Sequence, residues 1–306
     1  MTKFFEVLSK SAKELNGVSL PFTEEDLAQV PDNHSFTVVA QKTAEPKPNV
    51  SALEEVRPTP PASKPGYRTV SIRVPAGAPV LPFDGTHTLA AERYRIVRTK
   101  IVQRYPTPQV LCISSTTAGD GKTVNALNLA SSFALKKDTT ALLLDVDLRC
   151  PQLASLLGVP DSPGLADILA GRSSIEDALV QIAEMPNLFF LPAGHPFRNP
   201  AELLDSVRWP SVIETLRKQF QFIVLDCPPM GIVADFDLIH PVADGIILVA
   251  RPGHSKRKLL YNGLEQVSKE KLVGVLLNCV EDWFLWRTQD SSYYRYSYHA
   301  PNQQSR

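Results

Sequence analysis

The apolar run Val110-Leu111-Cys112-Ile113-Ser114, followed by Ser115-Thr116-Thr117-Ala118-Gly119-Asp120-Gly121-Lys122-Thr123, limits what this chain can fold into more than any other feature. A helical pattern with Ala126, Leu129, Ala130 and Phe133 begins directly after it. Strand, small-residue loop and helix, in that order, are what a phosphate cradle needs. Small residues let successive backbone N–H groups turn inward, and the helix N-terminus adds positive potential. The expected cradle is Ala118, Gly119, Asp120, Gly121, Lys122, Thr123 and Val124, with Lys122 reaching the terminal phosphates of ATP and the Thr123 hydroxyl ligating Mg²⁺. The match is imperfect, because Thr116 stands where the usual motif opens with glycine. By itself the loop could be a glycine turn that only starts a helix.

Other apolar runs recur along the chain at Ala141–Leu144, Leu188–Leu191, Phe222–Leu225, Ile246–Ala250 and Val273–Leu277, separated by helical patterns. Runs apolar on both faces and alternating with helices predict an α/β fold: a doubly wound, mainly parallel sheet of P-loop NTPase type, covered by helices on both sides. Ligands of such sheets bind at the carboxyl ends of the strands. Two runs end there in acids: Leu144-Asp145-Val146-Asp147-Leu148-Arg149 and Leu225-Asp226-Cys227-Pro228-Pro229. Carboxylates converging on a phosphate loop repel one another unless a cation lies between them, and Mg²⁺, which prefers oxygen ligands, answers that need. The bland alternative is that Asp145 and Asp226 only cap the turns that follow.

Outside this region the text changes. Residues 1–42 form an N-terminal segment in which Phe4, Phe5, Val7, Leu8 and Ala12 recur at helical spacing, a short amphipathic helix that either caps the molecule or docks on a partner. Nine prolines between positions 43 and 83 mark that stretch as an extended linker. The globular region is expected over 84–281, and 282–306 reads as a polar tail carrying Tyr293, Tyr294, Tyr296 and Tyr298, half of the chain's eight tyrosines.

Lys and Arg number 32 and Asp and Glu number 32, so a formal net charge of zero gives no electrostatic reason to expect nucleic-acid or bulk membrane binding. Cys112, Cys150, Cys227 and Cys279 form no metal-ligand spacing and read as free thiols of a reducing cytoplasm. No signal peptide is read in the first twenty residues. No apolar run is long enough to span a bilayer, so any membrane role is expected to come through a partner.

From about Leu89 to Val280 these residues resemble the bacterial tyrosine kinases of capsule and exopolysaccharide synthesis, relatives of the MinD and ParA ATPases. Asp145-Val146-Asp147-Leu148-Arg149 is similar to the family's second Walker-type aspartate motif, and Asp226-Cys227-Pro228-Pro229 to its Walker B strand end. Pro163-Gly164-Leu165-Ala166-Asp167-Ile168-Leu169-Ala170-Gly171 and Leu191-Pro192-Ala193-Gly194, continuing to Asn199-Pro200-Ala201-Glu202-Leu203-Leu204, are similar to further family signatures. Asn278 matches the position where relatives contact the nucleotide base, beside its plain reading as a strand-end turn. Switch ATPases of the MinD type carry a lysine where this chain has Thr117, which points to the kinase branch.

The resemblance implies ATP and Mg²⁺ as cofactors, with Lys122, Asp145, Asp147 and Asp226 catalytic and Thr123, Asp147 and Asp226 at the metal. Either Asp145 or Asp147 would act as base. It implies phosphoryl transfer to Tyr293, Tyr294, Tyr296 and Tyr298 of a neighbouring subunit. It implies that Glu92, Arg95 and Arg98, spaced along one side of a helix, join subunits into a homo-oligomeric ring rather than forming an ordinary solvated face. It also implies a separate transmembrane polysaccharide co-polymerase as activator, a tyrosine phosphatase, and a cytoplasmic protein recruited to the inner face of the membrane. Two other functions compete: a MinD- or ParA-like switch ATPase, and an ATP-dependent assembly protein without kinase activity. The departures at Thr116 and Ala118 leave room for the latter, and Cys150, where many relatives carry a second basic residue, bears on acceptor or phosphate contacts.

Overall fold

The computed structural model describes residues 67–74, 88–104 and 109–279, all within one compact unit that begins at Ser63. The amphipathic segment, most of the linker and the tyrosine tail lie outside the described residues. Among the described residues no helix is long and apolar enough to cross a membrane.

Eight strands form one sheet in the order β1-β4-β5-β3-β6-β2-β7-β8. They are β1 (Arg68–Val70), β2 (Gln109–Ser115), β3 (Ala141–Asp145), β4 (Val180–Ile182), β5 (Leu188–Leu191), β6 (Phe222–Asp226), β7 (Gly245–Ala250) and β8 (Leu272–Leu277). Every pairing is parallel except β4 with β5. The sheet is therefore mainly parallel, as the buried apolar runs require. The runs read from sequence coincide with β2, β3, β5, β6, β7 and β8 to within one residue at each end.

Two strands escaped that reading. β1 lies inside the stretch read as linker and forms the edge of the sheet beside β4. Three residues are too few to show a period. β1 holds its place through its neighbours: Ala183 donates its N–H to the Val70 carbonyl at 2.9 Å, and the Tyr67 hydroxyl donates to Gln219 Oε1 at 2.8 Å. The linker reading of 43–83 is corrected at Arg68–Val70.

Alternation along the strands divides the core into two layers. Leu111, Ile113, Leu143, Val224, Ile247 and Val249 face one side, while Cys112, Leu142, Leu144, Ile223, Leu225 and Leu248 face the other. On the first side lies α2 (Lys122–Ala134), covered by α1 (Thr88–Arg104). Ala126, Leu127, Leu129, Ala130, Phe133 and Ala134 of α2 are buried, and Phe133 stacks on Phe222 with ring centroids 4.1 Å apart. A helix buried almost all round suits its central position. The short α3 (Leu153–Leu157) packs on the same side as α2, whereas the opposite layer includes α4 (Leu165–Leu169), α5 (Ile175–Ala178), α6 (Pro200–Leu204), α7 (Arg208–Arg217), α8 (Asp235–Ile239) and α9 (Arg257–Gln266).

The chain leaves β2 for β3 on one side and reaches β7 on the other, with β6 packed between β2 and β3. Asp145 and Asp226 end adjacent strands in the same register. Val146 N–H bonds to the Asp226 carbonyl at 2.9 Å, Cys227 N–H to Ile113 at 3.0 Å, and Met230 N–H to Ser115 at 2.9 Å. These bonds tie the three strand-end loops together at one point.

Candidate nucleotide and metal site

The loop from Thr116 to Gly121 rises from β2 and turns into α2 at Gly121, whose φ of 95° is left-handed. A side chain there would meet both that backbone preference and the Asn278 amide, so glycine is needed. Helix α2 has no side-chain cap at its N-terminus, leaving its first N–H groups turned toward the loop. An anion satisfies such groups well.

Lys122 extends back across the loop mouth. Its Nζ lies 2.8 Å from Asp147 Oδ2 and 3.9 Å from Asp226 Oδ1. Burial works against the ammonium, but Asp226, Asp147 and Asp145 together raise its pKa above the ordinary lysine value. Asp226 is fully enclosed, and neither of its carboxylate oxygens has a hydrogen-bond partner. Burial pushes its pKa up to about 6, while Lys122 and Thr123 restrain the rise. The Thr116 and Thr117 hydroxyls are also buried without a partner. Orphaned buried oxygens are uncommon in folded proteins and call for an unseen partner. Beside a lysine and an anion cradle, the Asp226 oxygens suit a hard divalent cation such as Mg²⁺.

The two acids of the β3 end have different surroundings. Asp145 accepts three backbone N–H bonds, from Asp147 at 3.2 Å, Gln152 at 3.2 Å and Leu153 at 3.1 Å. It fastens the loop after β3 to the start of α3. Burial, with Asp226 and Asp147 nearby, drives its pKa well above the usual carboxylate value, against the pull of Leu153 N–H and Lys122. Asp147 instead turns Oδ2 to Lys122 and accepts the Cys150 N–H on Oδ1 at 3.2 Å. The structure thus brings Lys122, Asp147 and Asp226 together and leaves Asp145 occupied by backbone.

Asn278 stands beside the phosphate loop and donates from Nδ2 to the Asp120 carbonyl at 2.9 Å. Ala118 and Gly119 lie in the loop, and Thr123 and Val124 in the first turn of α2. Glu92 and Arg95 lie on the outer face of α1, paired with each other at 2.8 Å. Arg98 turns inward and donates from Nη1 to the Ser132 carbonyl at 2.6 Å. Tyr293, Tyr294, Tyr296 and Tyr298 are outside the described residues.

Sequence reasoning missed two clasps. Arg149, carried by the β3 loop, makes a bidentate pair with buried Asp235 after β6, at 2.7 and 2.8 Å. Asp120 Oδ1 receives the Ser255 hydroxyl at 2.7 Å and faces His254 Nδ1 at 2.9 Å, which binds the phosphate loop to the segment after β7. No local pattern announces either contact.

Comparison with known proteins agrees with this geometry. Residues 108–270 match the model of a family described as an AAA domain. The tyrosine-protein kinase YwqD of Bacillus subtilis is 33% identical over 203 residues, covering 65% of this chain and 85% of that protein. The succinoglycan biosynthesis transport protein ExoP of Rhizobium meliloti is 32% identical over 175 residues, 56% of this chain and 22% of that protein. Among solved structures, the VpsO kinase domain superposes with a TM-score of 0.56 at 32% identity, covering 63% of this chain and 96% of that domain.

Proposed function

The chain belongs to the bacterial tyrosine-kinase family and is a protein-tyrosine kinase, and on that premise we propose that it moves the γ-phosphoryl group of ATP to tyrosines of its own tail, Tyr293, Tyr294, Tyr296 and Tyr298, on a neighbouring copy. The observation that carries this reading is the junction of Lys122, Asp147 and orphaned Asp226 beside a cradle with Thr117 in place of lysine.

Phosphoryl transfer requires mainly positioning and charge neutralisation. Backbone N–H groups from Gly119 to Thr123 would hold the phosphates. Lys122 would leave Asp147 to reach the β and γ phosphates, and Thr123 and Asp226 would hold Mg²⁺. The ion, when bound, supplies charge neutralisation at the phosphate oxygens. Asp147, once released by Lys122, is the carboxylate we assign to remove the incoming tyrosine's proton, since Asp145 is engaged by three amides. Asn278 would slide from the Asp120 carbonyl toward the base.

Glu92 and Arg95, exposed on α1, would meet a second copy, with Arg98 bracing the helix from within. Each tail phosphate adds roughly −1.5 to −2 charges, enough for neighbouring tails to repel and loosen a ring. A transmembrane polysaccharide co-polymerase would recruit the kinase to the inner membrane face and activate it, a phosphatase would reset it, and export of exopolysaccharide would follow the cycle. ExoP, named for succinoglycan biosynthesis, supports that context.

Transfer between copies is tested by mixing Lys122→Met chains, tails intact, with active chains whose four tail tyrosines are Phe. Phosphotyrosine on the Lys122→Met tail is expected. A tail that stays unlabelled while wild type labels itself argues for transfer within one chain.

A further inference from the structure

One side chain of α1 reaches the phosphate cradle through a chain of two hydrogen bonds. The Tyr94 hydroxyl donates to Asn125 Oδ1 at 2.8 Å and accepts from Asn128 Nδ2 at 3.3 Å. Asn125 Nδ2 then donates to the Gly121 carbonyl at 2.8 Å. Gly121 is the left-handed residue on which the loop turns into α2. The Asn125 amide is therefore held at both ends, its oxygen by Tyr94 and its nitrogen on the cradle. Burial raises the Tyr94 pKa above the ordinary phenol value, so the hydroxyl keeps its proton at neutral pH.

The next residue on α1, Arg95, is exposed. Its side chain is 46% exposed and that of Glu92 35%. Helix α1 thus carries an open charged face and, one residue away, a polar contact running to the cradle. Thr117, too short to reach a second copy, keeps its hydroxyl buried without a partner.

We propose that Tyr94 is a positioning residue through which contact with a second copy of this chain, made on the outer face of α1, sets the phosphate cradle for nucleotide. The inference rests on the reading of Glu92, Arg95 and Arg98 as a subunit interface. A displacement of α1 by about 1 Å takes a 2.8 Å hydrogen bond beyond its working range. Asn125 then loses the partner that fixes which end of its amide faces Gly121.

The test compares wild type, Tyr94→Phe and Asn125→Ala across a dilution series. Light scattering reads assembly, and calorimetry reads binding of a non-hydrolysable ATP analogue with Mg²⁺. All three proteins should assemble alike. Wild type should bind the analogue about fivefold to tenfold more tightly when assembled, the shift that one hydrogen bond supports. Both variants should bind equally weakly in either state. A merely structural Tyr94 would lower the melting temperature of Tyr94→Phe yet preserve the assembled-to-dispersed ratio, and that result overturns the proposal. So does a wild-type affinity unaffected by assembly. Wild type that scatters as a monomer at every concentration refutes the interface reading instead, before any nucleotide is added, and the proposal falls with it.

Discussion

Lys122 Nζ and Asp147 Oδ2 sit 2.8 Å apart across the mouth of the phosphate loop, both side chains nearly buried. In the proposed mechanism this pair opens when phosphate arrives, freeing the lysine for the nucleotide and the carboxylate for the incoming tyrosine. Removing the lysine leaves Asp147 and Asp226 facing one another in a buried site. Breaking such a pair from one side costs about 3–5 kcal/mol when burial is complete, and somewhat less here because the lysine keeps some contact with water. Lys122→Met should abolish kinase activity and lower the melting temperature of the nucleotide-free protein at pH 7.5. The loss should shrink toward pH 5 as Asp226 takes up its proton. A melting temperature unchanged at pH 7.5 would show that the pair contributes nothing.

Asp226 predicts the opposite sign. Burial pushes its carboxyl in the folded protein up to about 6, above the ordinary aspartate value of roughly 3.9. Between those values the folded state holds the extra proton, so stability falls as pH rises through the window and is level above it. At pH 7 the ionised group costs on the order of 3 kcal/mol. Asp226→Asn should therefore raise the melting temperature of the nucleotide-free protein at pH 7 while abolishing Mg²⁺-dependent turnover. The gain over wild type should vanish near pH 4. Differential scanning calorimetry from pH 4 to 8 checks both, and a variant less stable than wild type at pH 7 would refute the account of that carboxylate.

Arg149 and Asp235 are unequal partners. The guanidinium is 42% exposed while the carboxylate is 1% exposed. Arg149→Ala strands a charge in the interior, whereas Asp235→Ala lets the guanidinium turn to water. Arg149→Ala should cost about 1–3 kcal/mol of unfolding free energy, discounted for the solvent that reaches the arginine, and more than Asp235→Ala. Urea unfolding of the two variants measures the difference. Equal losses would mean that the clasp is held by geometry rather than by desolvated charge.

Most of the sheet was legible in the sequence because parallel strands buried on both faces leave uninterrupted apolar runs, as in Leu142-Leu143-Leu144 and Ile246-Ile247-Leu248. β1 and β4 were not, since three residues at a sheet edge have neither length nor period. The convergence of Lys122 with Asp147 and Asp226 follows from strand ends gathered on one edge, which the fold class already implies. The different surroundings of Asp145 and Asp147 do not. They depend on which backbone amides α3 offers. The clasps of Arg149 with Asp235 and of Asp120 with His254 join residues 86 and 134 positions apart, and only the order of strands in the sheet brings them together. Tyr94 is similarly hidden: in Glu92-Arg93-Tyr94-Arg95 the charges draw attention, and the phenol between them makes the contact with α2.

The most direct test of a kinase whose acceptor is its own tail is a map of phosphotyrosine by mass spectrometry after incubation with Mg²⁺ and ATP. Wild type should carry phosphate on residues among Tyr293, Tyr294, Tyr296 and Tyr298. Lys122→Met should carry none, and a chain with all four changed to Phe should lose the tail signal while still hydrolysing ATP. Wild type that hydrolyses ATP yet leaves every tail tyrosine unmodified would contradict the account and mark the site as a switch.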